Sequence, residues 1–128
     1  MIVVNSNKEL KELIHQRIEE QGPNCDINDI DVSRVADMYE MFAESDFNGD
    51  LSKWNVSSVE SMFYMFEHSQ FDNDISEWNV SNVKDMTCMF FRSKFSGNVS
   101  AWDTSKVERM DYMFMETPQE GMEPSWYR

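Results

Sequence analysis

The stretch Phe47–Phe66, FNGDLSKWNVSSVESMFYMF, joins an Asp/Asn/Gly run to a Met- and Phe-rich run, and the fold depends on whether these are two motifs or one unit. It returns 24 residues later as FDNDISEWNVSNVKDMTCMF, Phe71–Phe90, and again as FSGNVSAWDTSKVERMDYMF, Phe95–Phe114. The stretch is therefore one unit of a repeat. In this register Trp54, Trp78, Trp102 and Trp126, every tryptophan of the chain, occupy one column. Further columns are Val35/Val59/Val83/Val107, Met38/Met62/Met86/Met110, Met41/Met65/Met89/Met113, Phe42/Phe66/Phe90/Phe114, Phe47/Phe71/Phe95 and Ile27/Leu51/Ile75/Val99, with Ser33/Ser57/Ser81/Ser105 as a polar one.

Fixed apolar columns at a period of about 20–29 residues are the mark of units that bury their hydrophobic faces only by stacking on one another. Within a unit, Trp54 and Val56 alternate with Lys53 and Asn55, which predicts a short strand and, across units, a parallel ladder. Val59, Met62, Met65 and Phe66 follow at the spacing of one helical face, behind Ser57 as N-cap. Ser57 with Glu60, and Ser105 with Glu108, complete a Ser-x-x-Glu box that Ala36 and Lys84 break in the other units. The expected class is an α/β repeat: a right-handed, leucine-rich-repeat-like solenoid with a short parallel strand ladder and short helices.

Asp46, Asn48 and Asp50 resemble the start of a calcium loop, but Ser57 stands where such a loop needs its last carboxylate. The triplet decays to Gln70/Asp72/Asp74 and Lys94/Ser96/Asn98 while the phenylalanine between its first two members persists, so it reads as a corner and no metal is expected. Gly49, Asn73, Gly97 and Gly121 fall in one column there and suit a positive φ. Upstream, Ser6 with Glu9 opens a helix whose stripe is Leu10, Leu13, Ile14 and Ile18, ended by Gly22 and Pro23. Residues 1–24 are thus expected to be an N-terminal capping helix, and 25–128 a solenoid of about four units with Trp126 covering its last coil.

A net charge of −13 opposes a direct grip on DNA, RNA or an anionic membrane, so a charged partner should be basic. MIVVNSNKEL has no basic segment leading into an apolar core, and no run approaches the roughly 20 apolar residues of a membrane span. A cytoplasmic chain with no membrane partner is expected. Cys25 and Cys88 lie in different columns and read as unpaired thiols.

The run F-x-x-D-I-S-x-W-N-V-S-x-V-x-x-M-x-x-M-F, repeated in register over about residues 25–127, resembles the BspA-like, leucine-rich-repeat-like family of bacterial surface proteins and lipoproteins. KELKELIHQRIEEQGPNCDINDID and EPSWYR are similar to the leader and terminator of its short members. The resemblance implies a solenoid used for binding, often at a cell surface, and no catalytic residues. The chain departs from it in showing no secretion signal, lipobox or anchor.

His15, on the expected cap helix, and His68, in a variable column, are the only histidines, and no column keeps an acid in every unit, so no enzyme activity and no cofactor are expected. A binding face is better motivated. Tyr64 falls nearly opposite the apolar helical stripe, in the column Glu40/Tyr64/Cys88/Tyr112, near Asp37, Glu44, Glu60, Asp85, Glu108 and Glu116. The candidate partner-binding set is Asp37, Glu40, Glu44, Glu60, Tyr64, Asp85, Glu108, Tyr112 and Glu116; tyrosines among acids suit an Arg-rich protein. A second candidate surface is the outward side of the strands, Ser52/Lys53/Asn55 and equivalents. The function expected is non-enzymatic binding of a basic protein or nucleic-acid-binding complex, with the oligomeric state open. The alternatives are a nucleic-acid mimic of the anti-CRISPR kind, which needs carboxylates spaced like phosphates, and an unsecreted relative of a surface adhesin.

Overall fold

The computed structural model describes residues 1–128. Its regular elements are β1 (Ile2–Val3), α1 (Asn7–Gln21) and β2 (Ile30–Asp31), with β1 and β2 paired in parallel. α1 begins where the sequence predicts: the Ser6 hydroxyl accepts the Glu9 N–H at 3.2 Å. The return bond of the box lands one residue early, with the Glu9 carboxylate accepting the Asn5 N–H at 2.6 Å. Gly22 ends the helix at φ 87, its N–H bonded to Ile18 O. Leu10 and Ile14 are buried in the same core as the repeat columns, with Leu13 and Ile18 packed at its edge.

The expected α/β solenoid of short helices and a strand ladder is corrected by the structure. Beyond β2 there is no helix and no further strand, only turns and loops with isolated parallel bridges at Asp26–Asp50, Asp37–Ser61, Ser61–Asp85 and Asp85–Arg109. The reason lies in two columns of left-handed residues, Glu40/Tyr64/Cys88/Tyr112 and Glu44/His68/Arg92/Glu116, all with φ between 52 and 59. A non-glycine residue in this region interrupts a right-handed helix, at a cost of roughly 1–2 kcal/mol. The lost i→i−4 bonds go between units instead. Met62, Tyr64, Phe66 and His68 donate to Asp85, Thr87, Met89 and Phe91 O at 2.8–3.0 Å, while Met65, Glu67 and Ser69 close local turns onto Met62, Tyr64 and Phe66. The same arrangement joins Met38–Glu44 to Ser61–Glu67, and Met86–Arg92 to Arg109–Met115. The spacing of Val59, Met62, Met65 and Phe66 therefore marks a run of tight turns and not a helical face.

The expected strand at Trp54 and Val56 is also absent, because Asp/Asn-x-Ser steps fold it into turns. Asp50 Oδ1 accepts the Ser52 N–H at 2.9 Å and Asn55 Oδ1 the Ser57 N–H at 3.1 Å, repeated by Asp74/Ser76, Asn79/Ser81, Asn98/Ser100 and Asp103/Ser105. Ser57 is thus a turn residue and caps no helix.

The apolar columns form the core. Phe42, Phe66, Phe90 and Phe114 stack at 5.3, 5.7 and 5.7 Å, and Phe47, Phe71 and Phe95 at 6.2 and 6.1 Å. Trp54, Trp78 and Trp102 are buried with their one donor satisfied: each Nε1–H donates, to Ile27, Leu51 and Ile75 O respectively, at 2.9–3.0 Å. Two charged and polar details were not foreseen. Arg17 is buried on α1 and holds Asp29 through a two-pronged pair at 2.8 and 3.1 Å, which lowers the Asp29 carboxyl below its usual range. Ser69 and Ser93 are buried and accept the N–H of Phe71 and Phe95.

At the corner, the positive φ expected of the glycine column occurs only at Gly121. Gly49 is needed for space: a Cβ there would lie 1.8 Å from Cys25 O. Asn48, the middle member of the calcium-like triplet, accepts the Asp72 N–H at 2.8 Å and an Asn73 side-chain N–H at 3.1 Å.

Candidate partner-binding face

The inter-unit bonds place residues 36–44, 60–68, 84–92 and 108–116 side by side, and the exposed side chains of these segments form one face. All nine residues of the candidate set lie on it. They are presented by turns, in two ways. Asp37 and Asp85 are structural as well as charged, since each accepts the N–H two residues on, Tyr39 at 2.8 Å and Thr87 at 2.9 Å. Glu60 and Glu108 stand beside them in a column with Ala36 and Lys84, stitched by N–H···O bonds of 2.8 Å from Glu60 to Ala36, Lys84 to Glu60 and Glu108 to Lys84. Their carboxylates point outward; Glu60 meets Lys84 at 3.5 Å in an exposed pair that contributes little.

The remaining five, Glu40, Tyr64, Tyr112, Glu44 and Glu116, belong to the two left-handed columns. These two columns carry unlike residues, from buried Cys88 to exposed Tyr112. Tyr112 is 58% exposed. Tyr64 is half-buried: its ring meets Phe63 edge-on at 4.4 Å, and its contact with the Cys88 thiol of the next unit raises the phenol above its ordinary value. Of the two tyrosines only Tyr112 is freely presented.

The sequence reading missed an aromatic strip on this face. Tyr39 and Phe63 stack at 5.4 Å, and Phe91 carries the Arg92 guanidinium 5.0 Å above its ring. Arg92 also pairs with Glu116 and lies 3.4 Å from His68 Nε2. The available signal was the Tyr39/Phe63 column itself, which Thr87 and Asp111 dilute.

Chemically the face offers contact and charge. His68 sits between Glu67 at 3.5 Å and a cation, an arrangement with no nucleophile to activate. Burial pushes both the Cys25 and Cys88 thiols up, away from the thiolate that nucleophilic work requires. No three His, Cys, Asp or Glu side chains converge in a way that could hold a metal ion. The second candidate surface is less available for binding than its sequence suggests. Ser52 and Ser76 donate their backbone N–H groups to Asp50 and Asp74 Oδ1, and Asn55 and Asn79 Oδ1 are engaged by Ser57 and Ser81 N–H.

No helix is long and apolar enough to cross a membrane. No curated protein and no solved structure matches the chain. A family model does match, over residues 8–125, a span that takes in all but the first residue of α1 and the repeat up to Ser125. The chain belongs to the family described as Mycoplasma protein of unknown function, DUF285.

Proposed function

We propose that the chain is a non-enzymatic protein-binding module whose acidic, aromatic-lined face engages a basic protein. The observation that carries this reading is the pairing of exposed rings, Tyr39 and Tyr112, with outward carboxylates such as Glu44 and Glu108 on one rigid, hydrogen-bonded surface. Aromatic rings supply area at low entropic cost, and flanking carboxylates select arginine or lysine. The family match is compatible with kinship to BspA-like surface repeats, whose binding role points the same way. The nucleic-acid mimic is less favoured, because Lys84, Arg92 and Arg109 interrupt the carboxylates and leave no phosphate-like row.

The test compares capture by the parent chain and by a Glu44→Lys/Glu60→Lys variant from nuclease-treated lysate of the source cell, at low and high salt. The captured protein is then purified and its affinity measured directly. A basic protein released by salt and bound at least tenfold more weakly by the variant is the expected result. Equal binding by the variant would overturn the reading, and competition by DNA or RNA would promote the mimic.

A further inference from the structure

One arginine of the chain already shows how this face holds a cation. Arg92 lies 5.0 Å above the Phe91 ring and pairs through Nε with the Glu116 carboxylate, so its guanidinium meets a ring and an acid at once. Lys84, on the same face, meets only a carboxylate, Glu60 at 3.5 Å, and lies over no ring. At the first two units a ring pair and acids stand together without a cation. Tyr39 and Phe63 stack at 5.4 Å with their planes 11° apart, and Tyr39 is 42% exposed. The Glu40 carboxylate, and after it Asp37, push the Tyr39 phenol above its ordinary value, which puts both acids beside the ring. No lysine, arginine or histidine pairs with either acid, and no cation covers either ring. The backbone beneath is held in place: Asn7 of α1 donates to Asp37 O and Tyr39 O at 3.1 and 3.0 Å, and the Tyr39 and Glu40 N–H groups donate to Asp37 Oδ1 and Phe63 O at 2.8 and 3.0 Å.

We infer that the Tyr39/Phe63 stack, with Glu40 and Asp37 beside it, is a subsite for one arginine side chain of the partner protein. The inference rests on the proposed binding role and deepens it by fixing the residue type recognised and the end of the face that recognises it. Two features select arginine. A planar guanidinium stacks on a ring while its N–H groups bond carboxylates in its own plane, whereas an ammonium is a compact, strongly hydrated point charge. The chain itself places arginine, not lysine, on a ring of this face. Little ordering remains to be done on binding, because the Asn7, Asp37 and Phe63 bonds hold the platform beforehand. Phe91 is not a second such subsite, since Arg92 occupies its ring and neutralises Glu116. Tyr112 is more exposed, but the preceding member of its column is Cys88 and gives it no ring to stack on.

The experiment follows the ring protons of Tyr39 and Phe63 by NMR while the full chain is titrated with acetylated, amidated Gly-Gly-X-Gly-Gly peptides in which X is arginine, lysine or citrulline. Citrulline keeps the shape of arginine and removes its charge. The arginine peptide should give saturable shifts centred on both rings with a Kd of about 1–10 mM, and the lysine peptide should bind at least about fivefold more weakly. The citrulline peptide should cause no saturable shift. Tyr39→Leu should weaken the arginine peptide at least about fivefold and abolish its preference over lysine, while Tyr39→Phe keeps the ring and should keep both. Tyr112→Leu should change nothing. Equal binding of the arginine and lysine peptides would overturn the inference, as would shifts centred on Tyr112 or Phe91, or no saturable shift by about 50 mM peptide. The same variants separate this inference from the reading beneath it. A captured basic protein that binds Tyr39→Leu and the parent equally overturns the arginine subsite alone, whereas equal binding by Glu44→Lys/Glu60→Lys overturns the acidic face.

Discussion

The two ends of the repeat face the same problem and meet it differently. At the first unit the unpaired groups are carbonyls, and a dedicated segment covers them: Asn7 of α1 donates to Asp37 O and Tyr39 O, while Ile2 and Val4 donate to Asp29 O and Asp31 O. At the last unit the unpaired groups are donors, and only Glu116 finds an acceptor, the Glu120 carboxylate at 3.4 Å. An edge of carbonyls can be closed by one amide side chain, because one –NH2 group carries two donors. An edge of N–H groups needs a run of acceptors, whereas the C-terminal residues bring mainly donors: Trp126 Nε1–H, Arg128 and Gln119 Nε2–H reach Val99, Val107 and Gly97 O.

The largest test of this asymmetry compares two tryptophans. Trp78→Ala removes a buried, hydrogen-bonded member of the middle of the core and should cost about 3–5 kcal/mol in chemical denaturation. Trp126 makes the equivalent bond but is only partly buried, so Trp126→Ala should cost roughly half as much. Equal losses would show that the C-terminal end is as firmly packed as the centre. A smaller effect should follow from Asn7→Ala, which uncaps two carbonyls and should lower stability by about 1 kcal/mol. It should also speed exchange in the first unit, and an unchanged exchange pattern would remove Asn7 from the cap.

The smallest effect is expected in acid. Asp50 and Asp74 are held below the ordinary carboxylate range by the Ser52 and Ser76 groups that bond to them, whereas the fourth unit has Asn98 in that place. A depressed folded pKa stabilises above the ordinary carboxylate value of about 3.9 and is lost as pH falls through the folded value. Asp50→Asn/Asp74→Asn keeps the turn acceptor and removes the titration, so its melting temperature should fall less than the parent's below about pH 4. A parallel fall in both proteins would place the acid sensitivity elsewhere, with Asp29 and its Arg17 pair the next group to examine.

Much of the core was legible because a repeat exposes it by comparison. A column that stays apolar in every unit, as Met62 or Phe66 does, must be buried in every unit. The local conformation was not legible from the same residues. Val59, Met62, Met65 and Phe66 fit a helical period, yet the alternation of inter-unit donors with local turns buries the same positions. Nothing in Glu40, Tyr64, Cys88 and Tyr112 announces a left-handed backbone, since none is the glycine or asparagine that usually occupies it. Of the candidate face, the columns pointed to the acids and two tyrosines, passed over Tyr39, Phe63 and Phe91, and made Tyr64 freer than it is.

The amino-acid sequence by itself determined the 24-residue unit, the set of core columns, the α1 cap with its Ser6 and Gly22 boundaries, and the acidic character of the surface. These follow from side-chain type and spacing, which hydrophobic burial reads directly. Tertiary structure alone decided that the units would be turns and loops in place of helices and strands, and that Met110, Tyr112 and Phe114 would have no following unit to accept from them. Both depend on where each backbone N–H finds an acceptor, and between Met38 and Arg92 local turns alternate with acceptors in the neighbouring unit.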